Sequence, residues 1–178
     1  MPLYSPLPKG SVRLLRLLPS SDEISRIECQ LITLPLLGSG STHPYEALSY
    51  VWGPEDNNQL ISIDGSKELL VTANLHVALL HLRHCFLERI LWIDAICINQ
   101  KDNDEKGQQV RSMANIYARA SRVIVWLGEA ADNSHRALEV ILEIAGGQST
   151  DTASDESNEQ VLTLLERPWF QRIWVGGN

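Results

Sequence analysis

The chain contains few of the residues on which disulfide frameworks, metal centres and membrane spans depend. Its three cysteines, Cys29, Cys85 and Cys97, are odd in number and form no CxxC pair. This usage predicts a reduced, cytoplasmic protein in which each cysteine is a small buried apolar residue. No run of about 18 apolar residues occurs, so we expect no membrane span. Prolines interrupt the N-terminal stretch where a signal peptide needs its apolar run, so we expect no secretion signal.

Positive charge is also scarce, with 15 Lys and Arg against 22 Asp and Glu, a net charge of −7. Nucleic-acid binding needs clustered cations, so we expect no nucleic-acid partner. Three nearby histidines, His76, His81 and His84, lack the i, i+4 spacing of a helical metal pair, and we expect no metal site. No glycine-rich phosphate loop is present, since Gly38 and Gly40 lack the helix and lysine that follow in a P-loop.

The chain does contain enough apolar residues for one hydrophobic core, since 44% of its 178 residues are hydrophobic. Its central stretch begins with an apolar run at residues 90–93 that stops at Asp94. A segment with helical spacing follows, and a second apolar run occupies residues 123–127. The helical stripe is predicted to contain Val110, Met113, Ala114 and Tyr117, and Asp102 with Glu105 to begin the helix. Strand, helix and strand predict a βαβ unit with two parallel, neighbouring strands.

The loop after the first of these strands is the candidate site. In open parallel sheets, ligands gather beyond the carboxyl ends of the strands, and Asp94 lies at such an end with Cys97, Asn99 and Gln100 behind it. A structural interpretation stays open, in which Asp94 accepts backbone N–H bonds and Asn99 and Gln100 hold the turn.

The flanking segments predict further elements. Residues 12–18 and 24–37 are expected to form a β-ribbon beside the main sheet, and residues 45–52 a strand. Asp64-Gly65 predicts a tight hairpin turn within residues 60–71, and Thr72 predicts a helix N-cap. The apolar stripe of that helix is predicted to be Leu75, Ala78, Leu79 and Leu82.

The C-terminal third is predicted to contain two helices and a mobile loop. The first helix has an expected apolar stripe and ends at Gly146-Gly147; a polar loop at residues 148–159 precedes a short helix at residues 161–165. Close aromatic residues then predict core packing. The stripe is Leu138, Ile141, Leu142 and Ala145, and the aromatic residues are Trp169, Phe170 and Trp174.

Three segments of the chain are more diagnostic of a protein family than the spacing of its apolar residues. They are Tyr-Glu-Ala-Leu-Ser-Tyr-Val-Trp-Gly at residues 45–53, Leu-Trp-Ile-Asp-Ala-Ile-Cys-Ile-Asn-Gln at 91–100, and Val-Ile-Val-Trp-Leu-Gly at 123–128. In this order they closely resemble the heterokaryon-incompatibility (HET) domain of filamentous fungi. The opening Val12-Arg13-Leu14-Leu15 and the closing Arg167-Pro168-Trp169-Phe170 resemble the same family.

The resemblance implies an effector module of fungal non-self recognition that triggers programmed cell death. Protein partners or self-association are expected. The implied organisation is N-terminal strands at residues 1–44 packed on a HET domain at residues 45–178. HET domains usually continue after the last tryptophan into a Gln-Glu pair, whereas Val175-Gly176-Gly177-Asn178 follows Trp174 here. We therefore expect a domain truncated at its C-terminal end.

HET domains also resemble TIR domains, some of which cleave NAD. The implied fold is α/β, a TIR-like, mostly parallel sheet flanked by helices. Ser49, Asp94, the strand at residues 123–127 and Trp174 fall in the TIR order. The implied ligand-binding residues are Ser49, Trp52, Gly53, Asp94, Asn99 and Gln100, with Asp94 as the candidate catalytic residue. No cofactor is expected, and NAD enters only as a substrate.

Three hypotheses remain open at this stage. The chain is a cell-death module that works by protein contact, an NAD-cleaving hydrolase, or a non-functional truncated copy. The glutamate expected after Trp174 is absent, and loss of a charge-stabilising group costs on the order of 10²–10³ in rate, which disfavours the hydrolase.

Overall fold

A computed structural model describes residues 2–36, 44–147 and 155–171. The chain divides into two compact units, Met1–Trp126 and Leu127–Asn178. The predicted packing of Trp174, most of the predicted polar loop and the C-terminal residues that follow Trp174 lie outside the described residues.

The first unit is built on one seven-stranded sheet in the order β5-β4-β2-β1-β6-β3-β7. Its strands and helices follow one another as β1 (Ser11–Leu17), β2 (Glu28–Pro35), β3 (Glu46–Tyr50), β4 (Gln59–Ile63), β5 (Lys67–Val71), α1 (Ala73–Leu82), β6 (Arg89–Trp92), α2 (Asp94–Cys97), α3 (Asn103–Arg119) and β7 (Arg122–Trp126). This open sheet with flanking helices confirms the predicted α/β class.

The order of the strands corrects one expectation. β6 and β7 are both parallel to β3 and lie on either side of it. The predicted βαβ unit is therefore real, but its strands are not neighbours. A strand from about 40 residues earlier in the chain occupies the place between them, and local periodicity carries no information about such an insertion.

The N-terminal ribbon is part of the same sheet. β1 pairs antiparallel with β2 along its whole length, and its other edge pairs antiparallel with β6. β1 is accordingly buried at Val12, Leu14, Leu15 and Leu17. The first strand of the chain thus lies in the middle of the sheet and contributes to the core.

Two local predictions in this unit are confirmed by backbone geometry. Asp64 and Gly65 both have positive φ, 52° and 71°, as a tight hairpin turn between β4 and β5 requires. Thr72 caps α1, its hydroxyl oxygen accepting a bond from the Leu75 N–H. Both signals depend on neighbouring residues only, which is why the sequence reveals them.

The face of α3 differs from the predicted stripe. Gln109 and Ile116 are buried, whereas Val110 and Ala114 are exposed. Gln109 is buried because its side-chain amide donates to the Ser11 carbonyl, 3.2 Å away. Asp102 begins the helix as predicted, accepting bonds from the Asp104 and Glu105 N–H groups.

The three cysteines differ in burial. Cys29 and Cys97 are buried as expected, but Cys85 is exposed. It follows the C-terminal end of α1 in a connection whose next residues, Phe86 and Leu87, are also exposed, so the expectation for Cys85 is wrong.

The second unit contains α4 (Ser134–Ala145) and α5 (Asp155–Leu165), which pack against each other. The predicted helix end at Gly146-Gly147 is confirmed, but the predicted stripe is wrong. Ser134, Ala137 and Val140 are buried, whereas Leu142 is 71% exposed. Residues 155–159, expected in a loop, form the start of α5. Trp169 is half-buried against Phe170, with ring centroids 5.1 Å apart, and Phe170 is exposed, so its predicted core packing is wrong.

Candidate functional site

The carboxyl ends of three parallel strands meet at one edge of the sheet. The register pairs Glu46 with both Leu91 and Arg122, and Tyr50 with Trp126. The residues that end or follow these strands are therefore brought together. We call Trp52, Asn74, Asp94 and Trp126 the carboxyl-edge cluster.

Trp52 and Asp94 contact each other directly in this cluster. The indole N–H of Trp52 donates to both carboxylate oxygens of Asp94, at 3.1 and 3.2 Å. Oδ1 also accepts the N–H of Ala95 at 2.8 Å. Both side chains are half-buried, and Trp52 packs partly against the core. A charged acceptor therefore fixes the orientation of a partly exposed aromatic ring.

Asn74 links the other two strand ends. Its Nδ2 donates to the Val51 carbonyl at 2.5 Å, and its Oδ1 accepts the indole N–H of Trp126 at 2.9 Å. It lies in the first turn of α1, two residues after the cap. One amide side chain thereby holds the end of β7 against the segment that carries Trp52.

Gly53 completes the turn after Trp52. Its φ is +75°, and a Cβ added there would lie 3.5 Å from Cβ of Asn74. The positive φ favours glycine, so this position allows the chain to leave β3 and turn beside α1.

The remaining predicted site residues lie nearby with different contacts. Gln100 donates to the main-chain carbonyl of Asp94 at 3.0 Å. Asn99 bonds within its own loop, accepting the Lys101 N–H at 3.2 Å. These are the turn-holding bonds of the structural interpretation. Ser49 is buried near the end of β3.

Cys97 lies behind this loop and is buried. Its sulfur accepts the Ile93 N–H at 3.4 Å, and burial raises the pKa of the thiol to about 12. A thiol that stays protonated at neutral pH is a poor nucleophile. Cys97 therefore supports the loop by packing.

Sequence reasoning missed Asn74 and Trp126. A polar residue in the first turn of a helix gives no distinctive signal. A tryptophan at a strand end does give one, because a buried indole N–H needs an acceptor. The ring of His81 packs against the same indole at a tilt of 47°, with ring centroids 5.0 Å apart.

An internal ion pair braces the site loop from the opposite side. Arg13, in β1, pairs with Glu105 of α3 at 2.7 Å and donates to the Cys97 carbonyl at 2.8 Å. Glu105 in turn accepts the Asn99 N–H at 2.8 Å. The ring of Tyr4 lies 4.8 Å from the guanidinium carbon, and its hydroxyl donates to the Ile96 carbonyl. The loop after Asp94 is thus tied to β1, α3 and the N-terminal segment.

Within the described ranges 2–36, 44–147 and 155–171, no group of three or more His, Cys, Asp or Glu side chains could hold a metal ion. Over the same residues, no helix is long and apolar enough to cross a membrane.

The sequence of residues 45–176, which includes the carboxyl-edge cluster, assigns the chain to a known family. The chain belongs to the heterokaryon incompatibility protein (HET) family, whose model matches residues 45–176. It is 39% identical to Heterokaryon incompatibility protein 6, OR allele, of Neurospora crassa, over 178 residues. The match covers 93% of this chain and 26% of that relative, so the chain spans about a quarter of the relative's length. No solved structure matches the chain.

Proposed function

We propose that this chain is an effector module of heterokaryon incompatibility that triggers cell death through protein contact at the carboxyl-edge cluster. The observation that carries the proposal is the bond between the Trp52 indole and the Asp94 carboxylate, within the residues matched by the family model. The 39% identity to an incompatibility protein supports the biological role.

The geometry favours recognition over acid–base chemistry at Asp94. The carboxylate already accepts bonds from the Trp52 indole and the Ala95 N–H. Half-buried aromatic residues with fixed orientation are favoured at protein interfaces because little conformational entropy is lost when they are covered. Trp52 is held in this way beside the turn at Gly53.

Induced synthesis of the chain in a filamentous fungus tests the role. Trp52→Phe keeps an aromatic ring but removes the N–H donor, so we expect a clear loss of cell death at equal protein level. Trp169→Phe, in the second compact unit, is the matched control for removal of an indole donor outside the carboxyl-edge cluster. Equal killing by wild type and Trp52→Phe would exclude the carboxyl-edge cluster as the functional surface.

Self-association is the simplest form of the protein contact. Light scattering across a range of concentrations measures it directly, and we expect the mass to rise for wild type and less for Trp52→Phe. A mass that stays monomeric at all concentrations, with killing retained, would point to a different protein as the partner.

Cleavage of NAD is the second candidate function. The observation that favours it is the location of Asp94 at the carboxyl ends of parallel strands, where sheet proteins bind nucleotides. Breaking the nicotinamide–ribose bond builds positive charge on the ribose, which a nearby carboxylate stabilises. Nicotinamide release by purified protein tests it. Release abolished in Asp94→Asn would support the enzyme, and no release above buffer at high protein concentration would reject it for this chain.

A further inference from the structure

A second concave surface lies at the opposite edge of the same three strands. A cavity of about 520 Å³ opens beside the first residues of β3, β6 and β7. Small-molecule sites typically have volumes of roughly 300–1,000 Å³. We call this surface the amino-edge groove, and the residues that matter for its chemistry are Pro44, Glu46, His84, Leu87, Arg89 and Arg122.

Positive charge exceeds negative charge by one among the residues that line the groove, which include three arginines and the two glutamates Glu46 and Glu88. Glu46 lies between two arginines: Arg89 pairs with it at 2.6 Å, and Arg122 pairs with its other oxygen. One carboxylate therefore faces two guanidinium groups. In a chain with a net charge of −7, a local cationic surplus in a concave surface marks a place where anions are attracted.

Arg122 still has unused donors. Its side chain is 66% exposed, and only its Nε contacts Glu46. Among residues described by the structure, the two Nη groups of Arg122 make no hydrogen bond. A guanidinium with a free edge can bind a phosphate through two parallel N–H bonds.

The wall of the groove adds the polar ring of His84, whereas the guanidinium of Arg83 bonds residues that do not line the groove. Arg83 donates to main-chain carbonyls of residues 22–26, including Asp22 and Glu23 at 3.1 and 2.9 Å. It has no carboxylate partner within the described part of the chain, so its charge is not neutralised there. Nδ1 of His84 accepts the N–H groups of Phe86 and Leu87, both at 3.0 Å. This leaves the proton on Nε2, which is the donor available to a ligand.

Apolar residues complete the lining. Leu87 is 65% exposed, and Pro44 is also exposed at the groove. A ligand that bonds only to the arginines would leave this surface in contact with water. An aromatic or aliphatic group attached to the anion would cover it and add hydrophobic free energy.

We propose that the amino-edge groove binds a small organic phosphate monoester. Its phosphate contacts the free edge of Arg122 and the Nε2–H of His84, and its organic part packs on Leu87 and Pro44. Glu46 pairs with both arginines and limits the positive charge that the ligand meets. This site lies at the other edge of the sheet from the carboxyl-edge cluster and does not depend on the proposed function.

Calorimetric titration with inorganic phosphate and with phenyl phosphate tests the proposal. We expect inorganic phosphate to bind at about millimolar Kd, which is about −4 kcal/mol, and phenyl phosphate to bind several-fold more tightly. Arg122→Gln should weaken both on the order of tenfold. Arg111→Gln, on the exposed side of α3, is the matched control and should bind as wild type does.

Glu46→Gln is expected to change phosphate affinity in the opposite direction from Arg122→Gln. Removing the one carboxylate between the arginines while keeping an acceptor should strengthen phosphate binding. If Arg122→Gln and Arg111→Gln weaken phosphate binding equally, the effect comes from the overall charge of the protein and the proposal is overturned. Weaker phosphate binding in Glu46→Gln would also overturn it. If inorganic phosphate and phenyl phosphate bind with equal affinity, the proposed contact between the organic group and the apolar lining is rejected, and the groove is a site for an inorganic anion.

Discussion

Arg13 and Glu105 form an ion pair at 2.7 Å across 92 residues of sequence, with side chains only 3% and 9% exposed. Both members make further bonds: Arg13 also donates to the carbonyls of Cys97 and Ser5, and Glu105 accepts the Asn99 N–H. Such a network is stable because each charge has partners, and it becomes costly when one member is lost.

Removing one partner should therefore destabilise the fold strongly. We expect Arg13→Ala to lower the free energy of unfolding by about 3–5 kcal/mol, because Glu105 is then buried without its cation. Urea denaturation measures this change. Arg26→Ala is the control: it breaks the exposed pair between Arg26 and Glu68 and should cost about 0.5 kcal/mol. Similar losses of unfolding free energy in the two variants would show that the buried Arg13 network stabilises the fold no more than the exposed ion pair does.

Asn74 should matter through both of its bonds. Asn74→Ala leaves the Val51 carbonyl and the Trp126 N–H without their partner, at a cost of about 1–3 kcal/mol. The freed indole should also change its fluorescence emission, since its polar contact is lost. Asn57→Ala, on the exposed loop after β3, should alter neither quantity. An unchanged emission spectrum in Asn74→Ala would contradict the link between α1 and β7.

Stability should fall in alkali because of buried acidic groups. Burial raises the pKa of the Cys29 thiol from 9.0 to about 12, and that of Cys97 similarly. The unfolded chain releases these protons near pH 9 while the folded chain keeps them. The free energy of unfolding therefore falls as pH rises from about 9 to 12.

Cys29→Ala isolates one of these protons. Its unfolding free energy should fall less steeply above pH 9, by up to about 1.4 kcal/mol per pH unit. Cys85→Ala, at the exposed thiol, should keep the wild-type slope. The measurement is urea denaturation in reducing buffer at steps between pH 8 and 11. Identical slopes in all three proteins would mean that Cys29 ionises in the folded state as it does in the unfolded one.

Signals confined to neighbouring residues predicted the structure well. The Asp64-Gly65 turn, the Thr72 cap and the Asp102 cap each depend on one side chain and the backbone beside it. Asp94 was correctly expected after a buried strand for the same reason.

Features that depend on distant segments could not be predicted in this way. β3 lies between β6 and β7 because of pairing that no local period encodes. Gln109 is buried because its amide reaches Ser11, and Asn74 enters the carboxyl-edge cluster because α1 begins beside two strand ends. The prediction for α4 failed differently: Ser134, Ala137 and Val140 are buried, and the larger apolar residues remain exposed.

Killing by Asp94 variants tests the central claim most directly, namely that the Trp52–Asp94 contact forms the functional surface. The measurement is loss of cell viability on induced synthesis of the chain, at matched protein levels, for wild type, Asp94→Ala, Asp94→Asn and the exposed control Asp56→Asn. We predict that Asp94→Ala loses killing because the indole loses its acceptor, whereas Asp56→Asn kills as wild type does. Asp94→Asn keeps one acceptor oxygen and should retain part of the effect. Full killing by a folded Asp94→Ala protein would contradict the claim.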